Sequence, residues 1–466
     1  MKGTTTWSFA PYRQLDDELE YAITVCRLAP NIDFIELEWL CDSTVLSDSA
    51  EFTIHYKSSD ETAFTTLAAK GRKAKIRGLK SDTEYEVSVT SGDQKSCIRL
   101  ARTGFIPGTV VNYLHPQDEA YSFSGRYLCS PSIVQLPQGT LIASMDVFGP
   151  RAPQNLSLLF RSDDGGVIWD YLTDLFPCFW GKLFVHKNEL YMLAMSTEYG
   201  DLLIGKSTDG GKNFCKPEVL FRGGGSHLEK GLHKAPMPVT AHAGRLWTAI
   251  DYGAWSLGGH SSSLLSVDEN ADLMKAENWT LTKPLAYNPD WAGAVKGPSR
   301  GLLEGSAVVS PKGDIINFLG YRTGECIPGR DRAIMLKGDI NCPGEKLAFY
   351  KTVDFFGNMA KFSVLYDDVS KQYFSIVNRL QGEYTRGMRN IASLSVSPDL
   401  VNWRIVCDLL DYSALDTEKV AFQYIDFLFD GDDLLFLSRT AFNDAANFHN
   451  SNYCTFHRVE QFRGLL

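Results

Sequence analysis

The chain has 466 residues, a net charge of −10, 44% apolar and 22% charged residues, a composition ordinary for a soluble globular protein of about two or three domains. The acidic balance disfavours nucleic acid, whose binding needs concentrated Lys and Arg. No run of about 18 apolar residues occurs, which disfavours a helical membrane span.

The opening, MKGTTTWSFAPYRQLDDELEYAI, has no basic segment followed by an apolar one, so no signal peptide is expected and a cytoplasmic location is. The ten cysteines are scattered without CxxC or CxxxC spacing. They read as reduced, mostly buried thiols, and no metal or cofactor is expected. From about 15 to 104 the chain runs in short alternating strands such as FIELEWLC, AEFTIHYKS and TEYEVSVTS, separated by turns. Gly78-Leu79-Lys80-Ser81-Asp82-Thr83-Glu84-Tyr85-Glu86-Val87 resembles the "GL-x-P-x-T-x-Y-x-V" corner of fibronectin type III domains, with Ser81 where Pro is usual. The resemblance implies a small β-sandwich over 15–104 in which the Tyr85 hydroxyl bonds back to upstream backbone. Such a module serves as a spacer, a packing partner or a glycan-positioning arm.

A linker near 104–125 leads into a hairpin pattern that recurs six times: Pro131–Asp146, Gly181–Ser196, Pro236–Asp251, Glu304–Arg322, Phe362–Arg379 and Tyr424–Arg439. Each copy is an apolar strand, a turn rich in Gly, Asp, Asn or Lys, and a second apolar strand. The starts lie 50 to 68 residues apart. Strand repeats of roughly 40–50 residues or a little more mark propeller blades, so 110–466 is expected to form an all-β, six-bladed β-propeller. Helix signals are few, with one short helical turn expected within Val267–Thr280.

Turn motifs follow three hairpins. Ser162-Asp163-Asp164-Gly165-Gly166-Val167-Ile168-Trp169 fits S-x-D-x-G-x-x-W, Ser207–Phe214 fits it with Phe for Trp, and Ser397–Trp403 is a shortened copy. In such a box the Asp accepts backbone N–H bonds across a tight turn, Gly takes φ > 0, and the aromatic packs beneath. These residues are structural. Boxes together with six hairpins resemble the sialidase superfamily of Asp-box (BNR-repeat) β-propellers over about 110–466.

The repeat also sorts the polar residues. The innermost strand of a blade leaves one face and its partner returns to it, so hairpin starts and ends share one rim. The starts offer Ser130, Trp180, Lys182, His233, Lys234, Glu304, Lys361, Gln423 and Tyr424. The ends offer Asp146, Glu198, Asp251, Arg322, Arg379 and Arg439. Arginines gathered at a funnel mouth suit an anionic sugar, because a guanidinium grips a carboxylate through two parallel bonds. Each can equally pair with an acid such as Asp354, Asp426 or Asp444. Trp180, Trp255 and Trp291 offer flat faces for sugar rings, or packing between blades.

The family resemblance implies roles for several of these. Glu304 matches the Glu opening the fourth hairpin and Arg322 the carboxylate-binding Arg at its end. Arg379, with Arg389 in reserve, matches a second such Arg. Tyr424-Ile425-Asp426-Phe427 resembles the "Y-S-D-L" setting of a nucleophilic Tyr whose proton the Glu draws. Two features depart from the family. Cys129-Ser130-Pro131 stands where an "R-I-P" motif is expected, and the loop Val147–Asn155 lacks the acid/base Asp, leaving Asp146 at its base as a substitute. The third hairpin adds His233, a general acid or base at neutral pH.

The expected catalytic set is therefore Glu304, Tyr424, His233 and Asp146. Arg322, Arg379, Arg439, Lys234, Asp251, Trp180 and Gln423 are expected to bind substrate. The expected partner is an anionic oligosaccharide. One reading is an exo-acting glycoside hydrolase on an altered sialidase-like site. A second is a lyase eliminating across a uronate with His233 and Tyr252 or Tyr424. A third is a catalytically silent glycan-binding propeller.

Overall fold

The computed structural model describes residues 7, 22–41, 46–47, 50–226, 228–294, 301–322, 331–358, 360–380, 382 and 387–466. Alternating apolar residues make strands nearly everywhere, and helix is confined among the described residues to short 3-10 turns at Trp255–Leu257, Ala276–Asn278 and Phe462–Leu465. None of these can cross a membrane.

The first strands form two layers. Ile23–Pro30, Phe34–Cys41 and Lys73–Arg77 make one antiparallel sheet; Glu51–Ser58, Thr65–Lys70, Glu84–Ser91, Gln94–Lys95 and Arg99–Arg102 make the other. Inward positions alternate with outward ones, burying Ile35, Leu37 and Trp39 against Phe52, Ile54, Val87 and Val89. The Tyr85 hydroxyl accepts the Lys80 N–H at 2.9 Å. This module is packed firmly against the larger unit. Arg27 Nε donates to the Val111 carbonyl at 2.9 Å, and the Arg99–Asp118 pair, 2.5 Å apart, is buried on both sides. A continuous apolar core runs from Trp39 through Tyr113 and Tyr453 to Phe422.

All six predicted hairpins pair antiparallel. The first, second and fifth each extend into a four-stranded sheet. The third and fourth belong to one nine-stranded sheet, joined where His260 meets Gly301 in a parallel bridge. The sixth sheet takes its outermost strand, Thr109–Tyr113, from ahead of the first hairpin. Tyr127–Gln135 of the first sheet lies beside both Ala421–Asp430 of the sixth and Phe179–His186 of the second. The two ends of the unit are thereby tied together. Trp7 wedges between the first two sheets, its indole N–H donating to the Pro177 carbonyl at 2.8 Å.

The turn boxes fold as local chemistry dictates. Asp164 Oδ1 accepts the N–H groups of Val167 and Ile168 at 3.1 and 3.0 Å, Gly165 and Gly166 take positive φ, and Trp169 is fully buried. Asp209 and Asp399 repeat the arrangement before Phe214 and Trp403.

One irregularity decides where side chains point. The register of the first, second, fourth and sixth hairpins slips after Cys129, Phe179, Leu303 and Gln423. The next residue in each, Ser130, Trp180, Glu304 and Tyr424, has φ of 49°, 52°, 57° and 55°. These are β-bulges at equivalent places, each with a non-glycine residue in the left-handed region, a conformation costing about 1–3 kcal/mol. Gly181 and Gly305 follow two of them, where a Cβ would lie 2.5 Å from the Met192 sulfur and 1.8 Å from Asn317 Oδ1.

Candidate functional site

Three of the four bulges aim their residues into one pocket of ≈ 330 Å³, and Ser130 of the first stays buried outside it. Trp180, Glu304 and Tyr424 line it from the second, fourth and sixth hairpins, with His233 from the third and Arg439 from the end of the sixth. Three of the four expected catalytic residues thus meet, with two of the expected binding residues.

Arg439 is buried, and one of its N–H groups donates to the His449 carbonyl. Its guanidinium carbon lies 4.9 Å from the Phe148 ring centre and 5.1 Å from that of Tyr424. Nε has no hydrogen-bond partner and no carboxylate pairs with the group among the described residues. Asp426, two residues after Tyr424, is already taken: its Oδ2 accepts Lys182 Nζ at 2.5 Å and the Ile133 N–H at 2.8 Å. A cation held this way over two rings presents unused donors to an anion in the pocket.

His233 is 3% exposed and enclosed by rings, with centroid distances of 4.4 Å to Trp180, 5.5 Å to Tyr199, 5.9 Å to Trp255 and 4.4 Å to His260. The Tyr199 hydroxyl and His260 Nε2 are hydrogen-bonded at 2.9 Å.

Other expected residues lie elsewhere. Asp146 and Asp251 are almost wholly buried and do not line this pocket; they hold the backbone N–H groups of Trp180 and Glu304 at 2.8 and 2.9 Å. Burial pushes the Asp146 carboxyl up to about 8 despite bonds from Ser157 and Trp180. Lys234 is 1% exposed and donates to the Ala235 carbonyl at 2.8 Å. Burial, then the charges of Lys182 and Lys361, lower its pKa to about 7. Gln423 is fully buried, bonded to Arg389 and to the Phe448 carbonyl. Arg379 is held by both oxygens of Asp408 and does not reach the pocket. A short side chain at a hairpin end stays between the sheets, and an arginine with an acid on the next strand turns to it. The side chain of Arg322, like all of His227, lies outside the described residues.

The pocket also holds residues outside the expected catalytic and binding sets. Glu198, at the end of the second hairpin, lines it and accepts a bond from Gln154 Nε2 at 2.9 Å. The rule that selected Asp146, taking hairpin ends, also reaches Glu198. The loop after the first hairpin lacks a carboxylate but supplies Phe148, Arg151 and Gln154 to the wall. His260 stands on a third strand, opposite Gly253, with no local signal. No group of three or more His, Cys, Asp or Glu residues is placed to hold a metal ion among the described residues.

The assembled pocket has two carboxylates, a phenol, two imidazoles, two guanidiniums and two indoles. These groups can bind an anion, stack on a ring, and give or take protons.

No protein-family model matches the chain, and no curated protein matches it in sequence. Solved structures do resemble it. A Hadza microbial sialidase, Hz136, is 12% identical with a TM-score of 0.52, covering 99% of both chains. A Trypanosoma rangeli sialidase solved in complex with sialic acid is 14% identical with a TM-score of 0.50, covering 76% of this chain and 58% of the other. An alpha-L-arabinanase of Penicillium chrysogenum complexed with arabinobiose is 10% identical with a TM-score of 0.49, covering 77% of this chain and 98% of the other. The fold is that of propeller-type glycosidases.

Proposed function

We propose that the chain is a glycoside hydrolase that acts from the end of an acidic oligosaccharide. It does so on a six-bladed propeller of sialidase type, preceded by a fibronectin type III-like sandwich. The observation that carries this reading is the convergence of Glu304, Tyr424, Glu198 and the unpaired Arg439 in one pocket with Trp180 and Trp255.

Arg439 holds the substrate carboxylate, and the indoles stack on the sugar. Glu304 takes the phenol proton as Tyr424 Oη bonds to the anomeric carbon. Glu198 gives a proton to the departing glycosidic oxygen as its bond to that carbon breaks. Water then attacks the glycosyl–tyrosine bond, surrendering a proton to Glu198, and Tyr424 recovers its proton from Glu304.

The test is turnover of uronate- and sialate-terminated oligosaccharides and aryl glycosides by wild type, Glu304→Gln and Tyr424→Phe. Each variant is expected to lose at least about 100-fold, the low end for a missing acid–base group. Turnover at the wild-type rate by both sinks the proposal. A second reading, elimination across a uronate, is favoured by one observation: the His233 imidazole lines the pocket together with Tyr424. Elimination leaves an unsaturated sugar that absorbs in the near ultraviolet, and hydrolysis does not.

A further inference from the structure

One carboxylate touches both the backbone of Glu304 and the imidazole of His233. Asp251 Oδ2 accepts the Glu304 N–H at 2.9 Å, and the same oxygen lies 3.7 Å from His233 Nδ1. Asp251 pairs across the strands with His233, and its Oδ1 receives the Ser262 hydroxyl at 3.3 Å from the strand on its other side. Both members of the His233–Asp251 pair are at most 3% exposed.

The first sheet contains the same device without the imidazole. Asp146 stands opposite Ser157, receives its hydroxyl, and accepts the Trp180 N–H at 2.8 Å. Its partner across the other strand is Cys129. In both sheets a buried Asp braces the left-handed turn that delivers the next pocket residue. Only in the third does the brace also face a titratable ring.

We infer that Asp251 is a positioning residue that couples His233 to Glu304, bracing the backbone turn that aims Glu304 and holding a proton on His233 Nδ1. An unprotonated Nδ1 would set its lone pair against a carboxylate oxygen in a site closed to water. The other groups around His233 are the rings of Trp180, Tyr199, Trp255 and His260, with Glu198 and Glu304 on the same pocket wall. None of them stands against Nδ1 as Asp251 does. The role in catalysis rests on the function proposed above, but the coupling is measurable without substrate.

The experiment is a nitrogen-15 imidazole NMR spectrum, which reports the nitrogen that carries the proton, of wild type, Asp251→Asn and Asp146→Asn, with His233→Gln to assign the signal. Asp251→Asn keeps an oxygen for the Glu304 N–H and removes the charge. The fraction of His233 that carries its proton on Nδ1, read from the nitrogen-15 shifts of the ring, is expected to fall once the carboxylate facing that nitrogen is neutral. Asp146→Asn is expected to leave it unchanged. Amide exchange at Glu304 is expected to quicken in Asp251→Ala and not in Asp251→Asn. An unchanged His233 tautomer in Asp251→Asn overturns the inference. So does a wild-type His233 carrying its proton on Nε2 alone, a result that needs no variant to fold. If the coupling is measured while Glu304→Gln keeps full turnover, the proposed function fails and the coupling stands. If Glu304→Gln is inactive while His233 shows the same tautomer in wild type and Asp251→Asn, the reverse holds.

Discussion

Replacing Arg439 by Met isolates the anion-binding part of the site. The side chain is buried, stacked over Phe148 and Tyr424, and gives one bond to the His449 carbonyl. Met keeps the length and apolar contact and removes the donors. A hydrogen bond to a charged group is worth about 1.5–3 kcal/mol, and a forked pair supplies two. The substrate carboxylate must shed water to reach the fork, so about 3 kcal/mol is the expected net loss, roughly 100-fold in affinity. The assay is calorimetric titration with an acidic oligosaccharide and with the same compound reduced to its neutral alcohol. Arg439→Met should weaken the acid about 100-fold and the alcohol less than about threefold; Arg439→Lys should regain about tenfold, restoring charge without the fork. Equal weakening of both ligands would mean that Arg439 supports the pocket wall and does not read the carboxylate. Unchanged binding of the acid would place the anion site elsewhere.

Glu198→Gln should slow oligosaccharide turnover at least about 100-fold while sparing aryl glycosides whose leaving group needs no proton; equal losses on both would remove Glu198 as the acid. Lys234 should make stability depend on pH. Its folded pKa of about 7 lies below the ordinary 10.5, so the unfolded chain holds a proton that the folded one lacks between those limits. Stability therefore rises with pH through that window, and the cost is full below pH 7. At about 1.4 kcal/mol per unit the ceiling is roughly 5 kcal/mol. Asp146 adds the opposite slope between its ordinary 3.8 and about 8, so variant and wild type are compared at each pH. In urea titrations Lys234→Met should be the more stable protein at pH 6, with the advantage shrinking by pH 9. A difference that does not change with pH refutes the assignment.

The strand alternation, the hairpin period and the Asp-containing turns were legible in the residues because each is made by contacts a few positions apart. They determined the all-β architecture, the six hairpins and the rim on which Glu304, Tyr424, His233, Trp180 and Arg439 meet. Side-chain direction was not legible, because a bulge resets the two-residue period of a strand. Asp146, Asp251 and Arg439 all stand opposite the residue before a slip or at a hairpin end, yet the two short acids stay between sheets and the arginine reaches the pocket. Charge pairing was equally hidden. Asp408, 29 residues beyond Arg379, claims that guanidinium, and Lys182, 244 residues before Asp426, claims that acid, while among the described residues no carboxylate pairs with Arg439. Local periodicity determined the strands and the rim; only the packing of distant strands decided which charges cancel and which remain to face a ligand.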